Sequence, residues 1–147
     1  RIIGFYEHRW VIEQWHRVLK EGCRLERSQL HDVTSLQRLA AVLSVVAVRL
    51  LQLRDLADAQ RHNDQADDPL ALQRTTPPLW IAIVATLART DAKRLTPQKF
   101  WHTLARRGGW IGRRSDGRPG WQTLWRGWSE IATMVRGVEL TQQTHDL

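Results

Sequence analysis

The sequence predicts an all-α chain, and three observations carry that prediction. No stretch sustains the period-two alternation of a half-buried strand, and Asn-Gly and Asp-Gly hairpin signals are nearly absent. Asp68-Pro69, Thr76-Pro77 and Thr96-Pro97 each read as an N-cap followed by proline in the first helical position. The segments between these signals have helical length and apolar content. With 147 residues, the chain can bury a core of ordinary size.

The first helix is expected from about Phe5 to Glu26, with Gly22 weakening its last turns. The second is expected to start at Thr34, where Thr34-Ser35-Leu36-Gln37 reads as a capping box, and to run through LQRLAAVLSVVAVRLLQLRDLADA. Arg38, Arg49 and Arg54 punctuate that segment. Its uninterrupted apolar run falls short of the roughly 20 residues a membrane span needs, so it reads as a core helix packed on more than one side, with no membrane partner. QRHNDQADD is a polar, acidic connection. A short helix then starts near Pro69, a longer one near Pro77 and another at Pro97, the last stopped by Gly108-Gly109. After the loop GGWIGRRSDGRPG, Pro119 opens the final helix, which Gly137 ends, leaving a frayed polar tail.

The formal charge is +7 and it is unevenly spread. Arg89 to Arg126 holds ten Lys/Arg against two Asp, whereas Asp55 to Asp68 holds five Asp against one Arg. A basic block of that size points to a polyanion, most simply nucleic acid; the plain alternative is a soluble charged surface. The single cysteine, Cys23, excludes an internal disulfide and fits a reducing compartment. It reads as a small packing residue. The chain starts with Arg and has no basic-then-apolar leader, the pattern of a piece of something longer that is not exported. The six histidines show no zinc-ligand spacing. The glycine-rich loop lacks the Gly-Lys-Ser/Thr of a P-loop.

The first helix is the most informative element. At about 100° per residue, Tyr6, Arg9, Glu13, Arg17 and Lys20 share a face roughly 80° wide. Val11, Ile12, Trp15, Val18 and Leu19 fall on the opposite face, which is expected to pack on the protein body. One carboxylate flanked by cations and a phenol has two readings. It can be an ion-pair ladder on a wet helix, with Glu13 bridging Arg9 and Arg17. It can also be a carboxylate that helps hold a divalent metal, set beside cations that hold phosphates.

The spacing Tyr6-x2-Arg9-x3-Glu13-x6-Lys20, within YEHRWVIEQWHRVLKEGCRLE, resembles the signature of DDE-class bacterial transposases of the insertion-sequence-four type. The stretch GGWIGRRSDGRPGWQTLWRGWSEI, about 90 residues on, resembles the end of the same enzymes. The resemblance implies that residues 1–30 end an RNase-H-like catalytic core and that 31–147 form a helical C-terminal dimerisation region. It implies that Glu13 is the third acid of the catalytic triad and a ligand for Mg²⁺ or Mn²⁺. Tyr6, Arg9 and Lys20 then grip transposon-end phosphates, and Arg17, Arg113 and Arg114 are further candidate DNA contacts. The implied partners are double-stranded DNA and a second copy of the chain, in the nucleoid of a bacterial cytoplasm. The implied activity is metal-dependent cleavage and strand transfer of DNA ends. The triad's two aspartates are not in these residues, so the chain by itself is expected to be inactive.

Trp121, Trp125 and Trp128 make a stripe at helical spacing, interleaved with Arg113, Arg114, Arg118 and Arg126. Base stacking is one reading. A packing stripe in a helical bundle is the preferred one. Two further possibilities for the chain stay open: a non-catalytic dimerisation or interference module, and an unrelated basic DNA-binding bundle.

Overall fold

In the computed structural model, residues 2–30, 32–62 and 68–145 are described, with the backbone alone for 2–8 and 60–62. The described residues form helices and connections without a strand, as the sequence predicts. The main helices are α1 (Ile2–Arg17), α2 (Val33–His62), α3 (Pro69–Thr75), α4 (Pro78–Leu87), α5 (Pro97–Arg107) and α6 (Trp121–His145).

Several boundaries differ from the sequence expectations, each for a local reason. The first helix stops at Arg17 and widens into a π turn, Val18–Gly22, closed by Cys23 N–H donating to the Val18 carbonyl at 3.0 Å. A separate 3₁₀ turn, Leu25–Arg27, replaces its expected last turn. Helix α2 is capped by Asp32 and not by Thr34. The Asp32 carboxylate accepts from the Ser35 hydroxyl and N–H, both at 2.8 Å, and from the Thr34 N–H at 3.2 Å. The Ser35 hydroxyl and these N–H groups hold its carboxyl below the usual range.

Asp68 caps α3 as expected, its side chain accepting from Leu70 N–H at 2.9 Å, with Pro69 in the first turn. Thr76 instead closes α3, and α4 starts one residue later than predicted, behind Pro77. Thr96 caps α5 through Lys99 N–H at 3.2 Å. A 3₁₀ turn at Ala92–Arg94, capped by Asp91, had no sequence expectation. Pro119 stays outside α6, whose first turn is closed by Leu124 N–H on the Gly120 carbonyl. Gly137 does not end α6, which runs to His145; no packing opposes a helical glycine there, and its cost is only about 1 kcal/mol.

The core gathers from the π turn after α1 and from α2 to α6. Val18 and Leu19, Leu43, Ala47 and Leu50 of α2, Leu72 of α3, Val84 of α4, Phe100 and Leu104 of α5, and Leu124 and Ile131 of α6 are its buried members. Over Val33–Ala59, α2 is long and apolar enough to cross a bilayer by length and composition. Its Leu43, Ala47, Leu50, Leu51, Leu53 and Ala57 enter the core instead, while Val42, Val45 and Val48 on another side are exposed. The expected burial of α2 on more than one side is therefore only half met.

The tightest seam joins α5 to α6. Gly108 and Gly127 face each other across it. A Cβ on Gly108 would run into the Thr123 carbonyl, and one on Gly127 into the Leu104 carbonyl. Only residues without a side chain let the two backbones approach this closely. The tryptophan stripe flanks this seam. Trp128 stacks against Trp80 of α4, with centroids 4.3 Å apart, and Trp121 meets Trp101 of α5 edge-on. Trp101 is buried and the other three rings are partly buried against the core, as the packing reading expects.

Candidate functional site

The charged face of α1 lies in solvent. Arg9 donates through Nε to a Glu13 carboxylate oxygen at 3.1 Å, and both side chains are well exposed. The continuous ladder expected around Glu13 is not formed. Arg17 turns toward Glu21, at 3.8 Å, and Lys20 pairs with Glu26, at 3.0 Å. Lys20 lies within the π turn that follows Arg17, off the regular helical path. The side chain of Tyr6 lies outside the described residues. Arg113 and Arg114 stand on the exposed glycine-rich loop, after α5, with no pairing to the described side chains of α1. The structure thus brings Arg9 and Glu13 together, leaves Arg17 and Lys20 on neighbouring acids, and holds the Arg113–Arg114 pair on a separate element.

The apolar side of α1 departs from its expectation. Val18, Leu19 and the partly buried Trp15 pack on the core, but Val11 and Ile12 are 53% and 55% exposed. Among the described side chains of α1, cover by the bundle begins at Gln14 and Trp15.

A contact that sequence reasoning missed joins this helix to the bundle. The Arg54 guanidinium, on α2, lies between two indoles: Trp10 of α1, 5.3 Å away, and Trp121 of α6, 5.4 Å away. It also donates to the Gln14 side-chain oxygen at 3.3 Å and to Asp55 at 2.8 Å. Its side chain is only 15% exposed. A planar cation stacked on two rings and hydrogen-bonded at its edge is well suited to joining three helices. The partners are some 40 residues or more apart, so no spacing in the sequence pointed to them.

Cys23 is buried behind the π turn, and burial pushes its thiol up to about 11. Such a thiol is a packing group and a poor nucleophile at neutral pH. Among the described residues, no three acidic, histidine or cysteine side chains gather into a metal-binding cluster. Glu13, paired with Arg9, is a single carboxylate, so these residues do not by themselves compose a site for a divalent cation.

The helices from α3 onward carry the decisive likeness. Residues 71–146 match the family model of the transposase Tn5 dimerisation domain. This chain belongs to the Tn5 transposase dimerisation domain family. The matched segment covers most of α3 and all of α4, α5 and α6, so the Gly108–Gly127 seam and the tryptophan stripe both lie within it. Helix α1, with Arg9 and Glu13, and the π turn, with Lys20, precede it, and Arg54 ties that helix to the domain's Trp121.

Proposed function

We propose that this chain is the C-terminal part of a DDE-class DNA transposase of the insertion-sequence-four type, acting on double-stranded DNA as a homodimer in a bacterial nucleoid. The observation that carries the reading is the joining, by Arg54, of a solvent-facing Arg9–Glu13 helix to a transposase dimerisation domain. In this reading α1 closes an RNase-H-like core. Glu13 supplies one carboxylate to a metal site whose other ligands lie outside the described residues. When bound there, Mg²⁺ or Mn²⁺ supplies Lewis-acid activation for attack on phosphodiesters. Arg9, Lys20 and Tyr6 hold the phosphates of the transposon end beside that carboxylate, and Arg17, Arg113 and Arg114 add contacts to the backbone. The dimer surface is the far part of α6, where the helix continues past Gly137 with Val138 and Leu140 exposed.

The reading is tested in a protein that joins this chain to a catalytic core. Glu13→Ala is expected to abolish cleavage of matched DNA ends and to leave DNA binding intact. Cleavage at the parent rate would sink the assignment. One observation favours a second reading, a non-catalytic dimerisation or interference module: Phe100, Leu104, Leu124 and Ile131 of the dimerisation domain are buried without help from the charged face of α1. Such a module would inhibit an intact transposase equally well with Glu13→Ala.

A further inference from the structure

The fold pairs some cations of the basic block and leaves others without a carboxylate. Arg107 is paired with Glu130 and Arg118 with Asp58. Arg89, Lys99 and Arg106 have no carboxylate partner among the described residues, and together with the paired Arg107 and with His102 they line one groove. The groove lies between the end of α4 and the outer face of α5, has a volume of about 460 Å³, and is floored by Leu87 and Thr103. No carboxylate lines it.

Arg89 adds an independent observation. Helix α4 ends with Thr90 N–H on the Ala85 carbonyl at 3.0 Å and Arg89 N–H on the Thr86 carbonyl at 3.1 Å. Helix α5 ends the same way, with Trp110 N–H on Ala105 at 2.9 Å and Gly109 N–H on Arg106 at 3.0 Å. Both are Schellman caps, which need a left-handed residue where glycine is the usual occupant. Gly109 fills it in α5 at φ 101°, but in α4 it is Arg89 at φ 50°. The cap does not require an arginine, as α5 demonstrates, and a side chain there is strained. Strain kept at one residue of a cluster is a mark of function when that residue faces a site. Here the strained residue lines the groove.

We infer that this groove binds the phosphodiester backbone of duplex DNA, through Arg89, Lys99 and Arg106, as a contact set separate from α1. Lys99 and Arg106 stand seven residues apart on α5, roughly 10 Å along the helix. That spans about three base-pair rises, at roughly 3.4 Å each along the duplex axis. The inference rests on the proposed reading that DNA is the partner. The competing structural account is that Arg89 and Arg106 only offset the negative ends of α4 and α5. That account has Arg89→Gly leave DNA affinity alone.

The test is fluorescence anisotropy of the full chain with a fluorescein-labelled duplex across a salt series, paired with thermal melts. Arg89→Gly is expected to keep or raise the melting temperature. It should also lower the slope of log affinity against log salt by about 1. Arg89→Gly with Lys99→Gln and Arg106→Gln is expected to lower that slope by about 3 and the affinity roughly tenfold or more. Arg38→Gln, an exposed cation on α2, is the charge-matched control for the single variant, and it should change the slope little. If the wild-type chain binds duplex and the Arg89→Gly variant behaves like the control, the groove assignment is overturned and the DNA reading stands. If the wild-type chain binds no duplex, both fall. If the triple variant keeps its DNA affinity and loses self-association, the groove belongs to acidic residues of a second copy and the inference is overturned.

Discussion

In α1, Trp10, Val11 and Ile12 stand more than half exposed, whereas in α5 Phe100, Leu104 and Ala105 are fully enclosed. Helix α1 keeps its charged side in water and is anchored through its last turns and through Arg54. The dimerisation domain is anchored through backbone-close packing at Gly108 and Gly127. The difference teaches how the chain divides its labour. The α4–α6 region shares one core with α2 and the π turn, and its closest approach, at Gly108 and Gly127, is set by shape. Among its described side chains, helix α1 meets that core through Trp15, and Arg54 adds directional contacts to Trp10 and Gln14. Its exposed Val11 and Ile12 are an apolar surface that the dimerisation domain does not cover.

The contrast is broken most forcefully at the seam. Gly127→Ala sets a methyl against the Leu104 carbonyl and is expected to cost about 3 kcal/mol, the upper part of the range for overpacking. Urea melts followed by circular dichroism measure it. A loss below about 0.5 kcal/mol, the level of a neutral surface change, would mean that the α5–α6 approach is less tight than described.

The next effect lies where α1 meets the bundle. The Cys23 thiol is raised above its unfolded value, so the stability it contributes is complete below about pH 9 and is lost as pH rises toward about 11. The full loss is on the order of 2–3 kcal/mol. Cys23→Ala should flatten that part of the stability profile, and an unchanged slope between those pH values would show that the thiol is not desolvated.

A smaller and more local change is expected from Arg54→Ala. Removing a cation stacked on Trp10 and Trp121 should cost about 1–2 kcal/mol. Hydrogen exchange should quicken in α1 while the protected amides of α5 stay unchanged. Equal acceleration in both would erase the distinction between the two regions. The least effect is expected on the wet face of α1. Breaking the Arg9–Glu13 pair with Glu13→Gln should change stability by less than about 0.5 kcal/mol, because an exposed pair four residues apart contributes no more. A substantially larger loss would mean that Glu13 supports the fold, which would weaken its catalytic assignment.

Much of the secondary structure was legible because its signals are local. Asp68-Pro69 and Thr96-Pro97 mark helix starts through their own side-chain and ring geometry, and both helices begin there. Thr76-Pro77 failed because a second proline, Pro78, was available to open α4 one residue later. Gly137 failed because a glycine ends a helix only when the chain turns left-handed there, and nothing forces that turn. In the candidate site, the Arg9–Glu13 pairing follows from i,i+4 spacing alone. The spacing also placed Lys20 beside Glu13, but it could not anticipate the π turn that sends Lys20 to Glu26.

The sequence by itself determined that the chain is helical, that one face of its first helix is charged, and that its basic residues cluster. Each follows from residue type and period, which act over a few positions. Only the tertiary structure decided that Arg54 is held between two tryptophans from different helices and that Gly108 and Gly127 meet. It also decided which arginines are neutralised and which converge on the α4–α5 groove. Those outcomes depend on which distant residues the close packing of helices brings within a few ångströms, and such distances leave no mark in a linear spacing.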